Sequence, residues 1–554
     1  MSFHAQPIPP IPEQTASVAR KAFPKGSPLM DLRDVLEDLY TDEDFKSLFG
    51  RRGQPGWSAW RLAMITVMQY VSDLTDRQAA EAVRGRIDWK YALSLELDDS
   101  GIDASVLSEF RQRLIDGEQE QVLLNNLLAR CQAHGWLKAG GRQRTDSTHV
   151  EAAIRTVNRL ELIAETLRAA LNSLAVVSPE WLKAVVSPDW FDRYGRRIED
   201  YRLPKGTPKR TTFALTIGTD GHHLLGALDS VSQETAWLTQ VPAVNVLRQV
   251  WIQQFYLDNE GALHLRGQRE GRPPAGSQLC SPYDTEARFS RKRQTEWVGY
   301  KVHLTECCDS EGPHLITHVE TTGATTADGA LTQPIHQALH ANALGPKEHL
   351  VDTAYLDAAL LLESQTEYHI ELVGPVLPDS SWQAQTENGF DITHFDIDWD
   401  QQQARCPQGQ MSTRWKIEAP STDHERVKIH FPTQPCQACS VKVHCTRAQK
   451  TGRVLHLRPH AQHMALQQAR DYQQSDDFKQ RYAVRAGIEG TLSQGIEAFG
   501  LRQCRYIGFA KTRLQHIITA TAMNVVRLIN WLHEHPLAQT RTSHFAQLAN
   551  ANYG

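Results

Sequence analysis

Two short β-prone runs, each carrying an aspartate, most constrain what this chain can fold into. The first, residues 142–150, is rich in β-branched side chains and holds Asp146 near its middle. The second, residues 348–355, is a short apolar run that leads into Asp352, and a helical pattern follows it. Strands that alternate with helices in this way predict a sheet with helices packed against it.

Further runs complete this pattern. Residues 297–305, 314–321 and 370–376 predict strands, and residues 332–340 predict a helix. When residues 152–295 are set aside as an insertion, the order becomes strand with Asp, strand, strand, helix, strand ending in Asp, helix, strand. A mixed sheet flanked by helices, with acidic residues on neighbouring strands, predicts an α/β fold with a ribonuclease-H-like catalytic core. Adjacent strand ends are also where ligands bind in open α/β sheets.

A third acidic residue lies on a predicted helix, residues 475–498, for which Ser475 is a suitable N-cap. At about 100° per residue, Tyr482, Arg485 and Glu489 fall within an arc of roughly 60°. An arginine suits a phosphate, and a carboxylate suits a divalent cation that holds a phosphate. The alternative is an ordinary Arg–Glu pair on a solvated helix face.

The amino-terminal part has a helical pattern throughout. Thr75 and Gln78 predict a capping box, and two short helices up to about residue 93 have the spacing of a helix-turn-helix. This spacing predicts either DNA docking or a plain helical bundle. A further helix is expected to expose Arg111 and Arg113.

The chain of 554 residues is long enough for roughly two to four domains. Within the insertion, residues 211–218 and 223–228 predict a hairpin around Asp220 and Gly221. The predicted segments are a mobile Pro-rich lead-in (1–30), an all-helical N-terminal domain (31–135), the first part of the core (136–380), a cysteine-containing insertion (381–470) and the C-terminal part of the core with the glutamate helix (471–554).

Three carboxylates within a few ångströms of one another are stable in the ionised form only around cations. Their oxygen ligands indicate Mg²⁺ or Mn²⁺, and two such ions activate a water or a 3′-hydroxyl for in-line displacement at a phosphodiester. Taken singly, each aspartate has another interpretation, since Asp146 suits a turn and Asp352 suits a helix N-cap.

These motifs resemble the DDE transposases of bacterial insertion sequences. Asp146 in Thr-Asp-Ser-Thr-His-Val, Asp352 in Val-Asp-Thr-Ala-Tyr and Tyr482-x2-Arg485-x3-Glu489 match the acidic triad and three members of the Tyr-Arg-Glu-Lys signature. The resemblance extends to residues 53–114, 281–284, 299–303 and 505–508. It implies catalysis by Asp146, Asp352 and Glu489, and DNA contact by Tyr482, Arg485, Arg502 and Arg505.

The signature departs at its lysine, which Ile496 replaces. Its phosphate contact is therefore expected from Gln494, Arg502 or Arg505, or is absent. The metal triad does not depend on this position.

Four cysteines between the second aspartate and the glutamate form another group. Cys436-x2-Cys439-x5-Cys445, with Cys406 upstream, has a spacing that can close a structural Zn²⁺ site, and His444 can substitute for Cys445. The alternative is reduced cysteines packed as small apolar side chains.

The net charge of −5 gives no general attraction to nucleic acid, so DNA binding must come from local basic clusters. No secretion signal or run of eighteen apolar residues is present, which predicts a cytoplasmic protein with no membrane partner, associated with the nucleoid when it acts. The prediction is a transposase that cuts and joins double-stranded DNA, at element ends and target, as a homodimer on DNA. A nuclease that only hydrolyses DNA and a catalytically silent DNA-binding protein are the alternatives.

Overall fold

The computed structural model describes residues 5–50, 56–418 and 425–535. Several predicted segments therefore lie partly outside the described residues. These parts are the first four residues of the lead-in, residues 51–55 of the N-terminal domain, residues 419–424 of the cysteine-containing insertion and residues 536–554 of the C-terminal part. Residues 53–55 are also the start of the region that resembles transposases.

The amino-terminal helices share one hydrophobic core with the sheet and with the long helix near the carboxyl terminus. The predicted capping box is present, because the Thr75 hydroxyl accepts the N–H of Gln78 while the Gln78 side chain accepts the N–H of Thr75. The helices are α1 Glu13–Ala22, α2 Pro28–Val35, α3 Ala59–Val71, α4 Asp76–Gly85, α5 Ile87–Ala92, α6 Ala104–Asp116 and α7 Val122–Ala133.

The Pro-rich lead-in contains α1, where Ala19 is buried and the buried Thr15 hydroxyl donates to the Leu95 carbonyl at 2.8 Å. One expectation for this part is wrong. Arg111 is buried rather than exposed, because its guanidinium pairs with Asp76 at 2.5 Å and lies over the ring of Tyr506. A partner on a neighbouring helix makes the burial of this charge tolerable.

The segment between the first and second sheet strands forms a helical unit with its own buried cluster. It follows β1 Arg142–Glu151 and consists of α8 Arg159–Val177, α9 Pro179–Val185, α10 Asp189–Tyr194, α11 Thr207–Asp229, α12 Pro242–Gln254, β2 Phe255–Leu257 and β3 Leu263–Leu265.

The hairpin predicted for residues 211–228 is wrong, since these residues lie within the single helix α11. A Cβ on Gly218 would lie 2.5 Å from the ring of Phe255, and one on Gly221 would lie 2.0 Å from Trp251. The two glycines therefore allow close packing of the helix against these rings rather than a turn. The β-branched residues fit the helix by donating their hydroxyls to carbonyls four residues earlier, at Thr211, Thr212, Thr216 and Thr219.

A six-stranded mixed sheet forms the centre of the molecule. The remaining elements of this part are β4 Arg288–Lys292, β5 Thr295–Cys307, β6 Ile316–Gly323, α13 Thr332–Ala341, β7 Glu348–Leu350, α14 Ala358–Tyr368 and β8 Glu371–Val373. The strands predicted from the sequence are thus present. β1 lies between antiparallel β5 and parallel β7, β8 continues the parallel side, and β4 and β6 pair with successive parts of β5.

The carboxyl-terminal third contains a small sheet unit followed by helices. The side chain of Asn524, on the last helix, exchanges two hydrogen bonds with the backbone of Ile316 at 2.7 and 2.8 Å, so this helix covers the outer edge of β6. The elements are β9 Asp396–Asp398, β10 Gln403–Arg405, β11 Arg414–Glu418, β12 Arg426–His430, α15 Thr433–Gln437, α16 Lys442–Cys445, β13 Val454–Leu457, α17 His460–Tyr472, α18 Asp476–Ala483, α19 Gly487–Phe499 and α20 Phe509–Leu532.

Candidate active site

Asp146 lies in the middle of the central strand β1, where its carboxylate is largely buried. Its Oδ2 lies 2.7 Å from Nη2 of Arg485, and its Oδ1 accepts the N–H of Ser147 at 2.7 Å. Burial raises the pKa of the Asp146 carboxyl, Arg485 opposes this rise, and the charge of Asp352 adds to it. The two aspartates are therefore close enough to interact electrostatically.

Asp352 follows β7, the parallel neighbour of β1. Its Oδ1 accepts the N–H of Ala354 at 2.9 Å and so caps the short 3₁₀ turn Thr353–Tyr355. Asp352 can cap this turn and also lie beside Asp146, because the cap uses only one of its two carboxylate oxygens. In this parallel register Leu350 lies beside Arg144, so Asp352, two residues further on, comes beside Asp146 although the two are distant in sequence.

Glu489 lies in the first turn of α19, and its side chain is 71% exposed. Ser475 is the N-cap of α18, as predicted, but the single predicted helix is wrong because the 3₁₀ segment Val484–Ala486 interrupts it. The Val484 carbonyl, at this interruption, accepts a hydrogen bond from Arg144 at 2.5 Å. A Cβ at Gly487 would lie 2.1 Å from the Arg144 guanidinium, so glycine lets this guanidinium approach the backbone here.

A cluster of buried charged side chains connects the elements that carry the carboxylates. Glu306 on β5 is fully buried, and its two oxygens bind Arg144 of β1 at 2.6 Å and Arg527 of α20 at 2.6 Å. The Thr491 hydroxyl of α19 donates to the same carboxylate at 2.5 Å. This cluster joins the strand of Asp146 to the helix of Glu489.

Arg485 bridges the carboxylates, since its second terminal nitrogen lies 3.9 Å from Glu489. Only 12% of its side chain is exposed, and its Nε is buried without a hydrogen-bond partner among the described residues. Tyr482 lies outside the cleft lining, where it stacks on Phe478 with a centroid distance of 5.4 Å. Burial raises the pKa of Tyr482, and the charges of Arg485 and of the three carboxylates also act on it, so Tyr482 lies near the site.

The three predicted carboxylates line one open cleft of about 830 Å³. A fourth carboxylate, Asp328, lies on its wall, bound to Lys301 at 2.6 Å and to the Ser147 hydroxyl at 3.3 Å. No sequence pattern marks Asp328, because it is a lone aspartate at the start of the short 3₁₀ segment Asp328–Leu331. Six cations also line the cleft: Arg291, Lys292, Arg293, Lys301, Arg485 and Arg502.

The groups proposed to replace the missing lysine lie in different places. Arg502 lines the cleft, and its Nε donates to the Thr148 hydroxyl at 2.8 Å. Arg505 pairs with Asp73 and lies over the ring of Tyr70, where it links the last segment to the amino-terminal helices.

Of the two remaining positions, Gln494 accepts a hydrogen bond from Arg527. Ile496 packs against the main hydrophobic core. Among the three proposed replacements, Arg502 alone lines the cleft.

The four cysteines line one small cavity of about 30 Å³, far along the chain from the aspartates. The Cys406 sulfur accepts the N–H of Gln410 at 3.3 Å. The pKa of the Cys445 thiol is raised to about 11, mainly by burial, against the opposing effect of Arg453, and the other three thiols add to the rise. The His444 side chain is not part of this lining.

Over residues 5–50, 56–418 and 425–535, no three His, Cys, Asp or Glu side chains are gathered closely enough to hold a metal ion as they stand. The donor chemistry nevertheless fits each implied ion. Carboxylate oxygens around the cleft suit Mg²⁺ or Mn²⁺, and four thiols around one cavity suit Zn²⁺.

Comparisons with known proteins identify two stretches. Residues 405–529 match the model described as Transposase DDE domain, and residues 17–113 match the model described as Transposase domain (DUF772). Glu489 lies in the first stretch, whereas Asp146 and Asp352 lie between the two. Searches of curated proteins and of solved structures found no match. The matches confirm the resemblance and are consistent with a DDE-type insertion sequence transposase.

No helix within the described residues combines the length and the apolar character that a membrane span needs.

Proposed function

We propose that this chain, which matches transposase domains in two separate stretches, binds the ends of its own insertion sequence, cleaves them and joins the freed 3′-hydroxyl to target DNA. The observation that carries the proposal is the cleft, which Asp146, Asp352 and Glu489 line together with six cationic side chains. The order of the sheet, with β1 between an antiparallel and a parallel side, supports a ribonuclease-H-like core.

In this proposal Asp146, Asp352 and Glu489 hold Mg²⁺ or Mn²⁺. When bound, these ions supply the positive charge that stabilises the attacking and leaving oxygens of an in-line displacement at phosphorus. Arg485 and Arg502 donate to the phosphate oxygens of the DNA and hold the strand against the carboxylates. The partners are double-stranded DNA at the element ends and at the target, and a second copy of the chain on that DNA.

The four cysteines are proposed to hold one structural Zn²⁺. The cavity that Cys406, Cys436, Cys439 and Cys445 share supports this role, because four cysteine ligands are a set that structural Zn²⁺ sites use. The bound ion would stabilise the cysteine-containing insertion, which precedes the helices that lead to Glu489.

A plasmid carrying the gene with its flanking sequence tests the proposed function. Purified protein and Mg²⁺ should release the element, and precut end oligonucleotides should become joined to a second plasmid. Cleavage without joining of precut ends would support the hydrolysis-only nuclease instead. End binding with no Mg²⁺-dependent nicking would leave only a DNA-binding protein.

A further inference from the structure

The β4 and β5 strands continue as a two-stranded ribbon past the end of the central strand. β1 pairs with β5 from Cys307 back to Gly299, whereas β4 pairs with β5 over residues 295–299. At the junction, a Cβ on Gly299 would lie 2.2 Å from the Val150 carbonyl oxygen, and its φ of +156° suits glycine. Glycine thus lets the ribbon diverge from the sheet at this point. We call residues 288–298 the basic ribbon.

The tip of the basic ribbon is exposed and cationic. Residues 291–296, Arg-Lys-Arg-Gln-Thr-Glu, are all exposed, and residues 290–295 line the cleft. Arg291 and Glu296 lie 3.6 Å apart, and both side chains are more than half exposed. Within the described parts of the chain, neither Lys292 nor Arg293 takes part in an ion pair, so both charges are available to a ligand.

The turn itself contains an unfavourable residue. Lys292 pairs with Thr295, so Arg293 and Gln294 form the two-residue loop, and Arg293 has a φ of +57°. Gly, Asn or Asp is preferred at such a position, and a left-handed conformation costs another residue about 1 kcal/mol. Strain of this kind is tolerated where a side chain has a function.

The basic ribbon and the carboxylates share one cleft. The charge of Lys292 acts on the Asp146 carboxyl across it, in the same direction as that of Arg485. A DNA strand that reaches Asp146 through this cleft therefore comes close to the ribbon tip. A two-stranded ribbon also has the dimensions to follow a DNA groove, and its cations suit the backbone phosphates.

From this geometry we infer that the basic ribbon binds the DNA backbone beside the phosphodiester that is cut, with Lys292 and Arg293 as its contacts. The inference rests on the proposed function and extends it to a DNA-contacting element outside the carboxylate triad. Contacts of this kind position the DNA and do not read its bases.

Duplex binding measured over a range of salt concentrations tests the inference. The probe is a duplex of about 30 base pairs with arbitrary sequence, in Ca²⁺ rather than Mg²⁺. Each phosphate contact contributes about 0.9 to the slope of log K against log salt. Lys292→Ala and Arg293→Gly should each lower this slope by about 1, and the double variant by about 2. Arg293→Gly should melt no lower than the wild type, because glycine relieves the strain at this turn.

Lys183→Ala is the matched control, since Lys183 is an exposed cation on α9 that pairs with Glu180. Its slope should equal that of the wild type. If the double variant keeps the wild-type slope while Mg²⁺-dependent cleavage occurs, the basic ribbon is not a DNA contact and the proposed function stands. If the wild type neither binds the duplex nor cuts any plasmid, both proposals are overturned.

Discussion

The carboxylate cleft and the cysteine cavity are both groups of potential metal ligands, but they are supported in different ways. Asp146, Asp352 and Glu489 lie on a central strand, after its neighbour and on a helix, and a buried cluster around Glu306 joins these elements. The cysteines lie close together in sequence, next to a small separate hydrophobic cluster. The large core therefore positions the carboxylates without a bound metal ion, whereas the cysteine unit has less apolar burial to stabilise it.

This contrast predicts that damage to a ligand affects the two regions differently. In the cleft, loss of a carboxylate should abolish catalytic activity and leave the fold intact. In the cysteine unit, loss of a thiol should unfold the unit, because metal binding supplies folding free energy to small units.

The largest expected effect is on DNA cleavage. Asp146→Asn, Asp352→Asn and Glu489→Gln should each abolish Mg²⁺-dependent cleavage, because each removes a charge from the proposed metal ligands at little change in shape. Their binding of end DNA should stay near that of the wild type. Asp352→Asn and Glu489→Gln should also melt near the wild-type temperature, whereas Asp146→Asn should melt lower because it leaves the largely buried Arg485 without its carboxylate. Arg485→Ala serves as the comparison, since it should weaken end binding as well as cleavage. If one of these three variants still cuts DNA efficiently, the residue changed in it is not a member of the triad.

The second prediction concerns the cysteine unit. Wild-type protein should hold about one Zn²⁺ per chain, and Cys439→Ser should lose it, become protease-sensitive between residues 400 and 450, and lose cleavage. Elemental analysis and limited proteolysis measure these changes. Cys280→Ser is the control, because Cys280 lies outside the cavity. Wild-type protein free of zinc after purification without chelators would return the cysteines to ordinary packing.

A third prediction tests the buried support of the cleft. Glu306→Gln should destabilise the protein by about 3–5 kcal/mol, because it leaves two buried guanidinium groups without their shared carboxylate. Chemical denaturation measures this loss. Cleavage should fall as well, since the helix of Glu489 loses its attachment to β1. Unchanged stability would show that Arg144 and Arg527 find other partners.

The smallest expected effect is a dependence of stability on pH. The pKa of His336 is lowered to about 4, mainly by burial. Below about pH 6.5 the unfolded chain takes up a proton that the folded chain does not, so stability should fall as the pH drops towards 4 and be unaffected by this group above 6.5. The loss is on the order of 3 kcal/mol. Denaturation of the wild type and of His336→Gln between pH 4 and 8 measures it, and equal pH dependence in both would exclude this histidine as the cause.

The sequence alone determined the local elements of this protein. The strand around Asp146, the strand before Asp352, the capping box at Thr75 and the N-cap at Ser475 are all present in the structure. These signals depend on side-chain periodicity and on hydrogen bonds within a few residues, which any sequence displays directly.

Contacts between distant residues were decided only by the tertiary structure. The segment predicted as a hairpin is a helix in which Gly218 and Gly221 pack against aromatic rings. The helix predicted to carry Glu489 is interrupted by a 3₁₀ segment that accepts a hydrogen bond from Arg144. Likewise, the place of Asp328 in the cleft and the burial of Arg111 depend on partners elsewhere in the chain. No local pattern encodes such contacts, because each arises when elements far apart in sequence pack together and their buried charges must be satisfied.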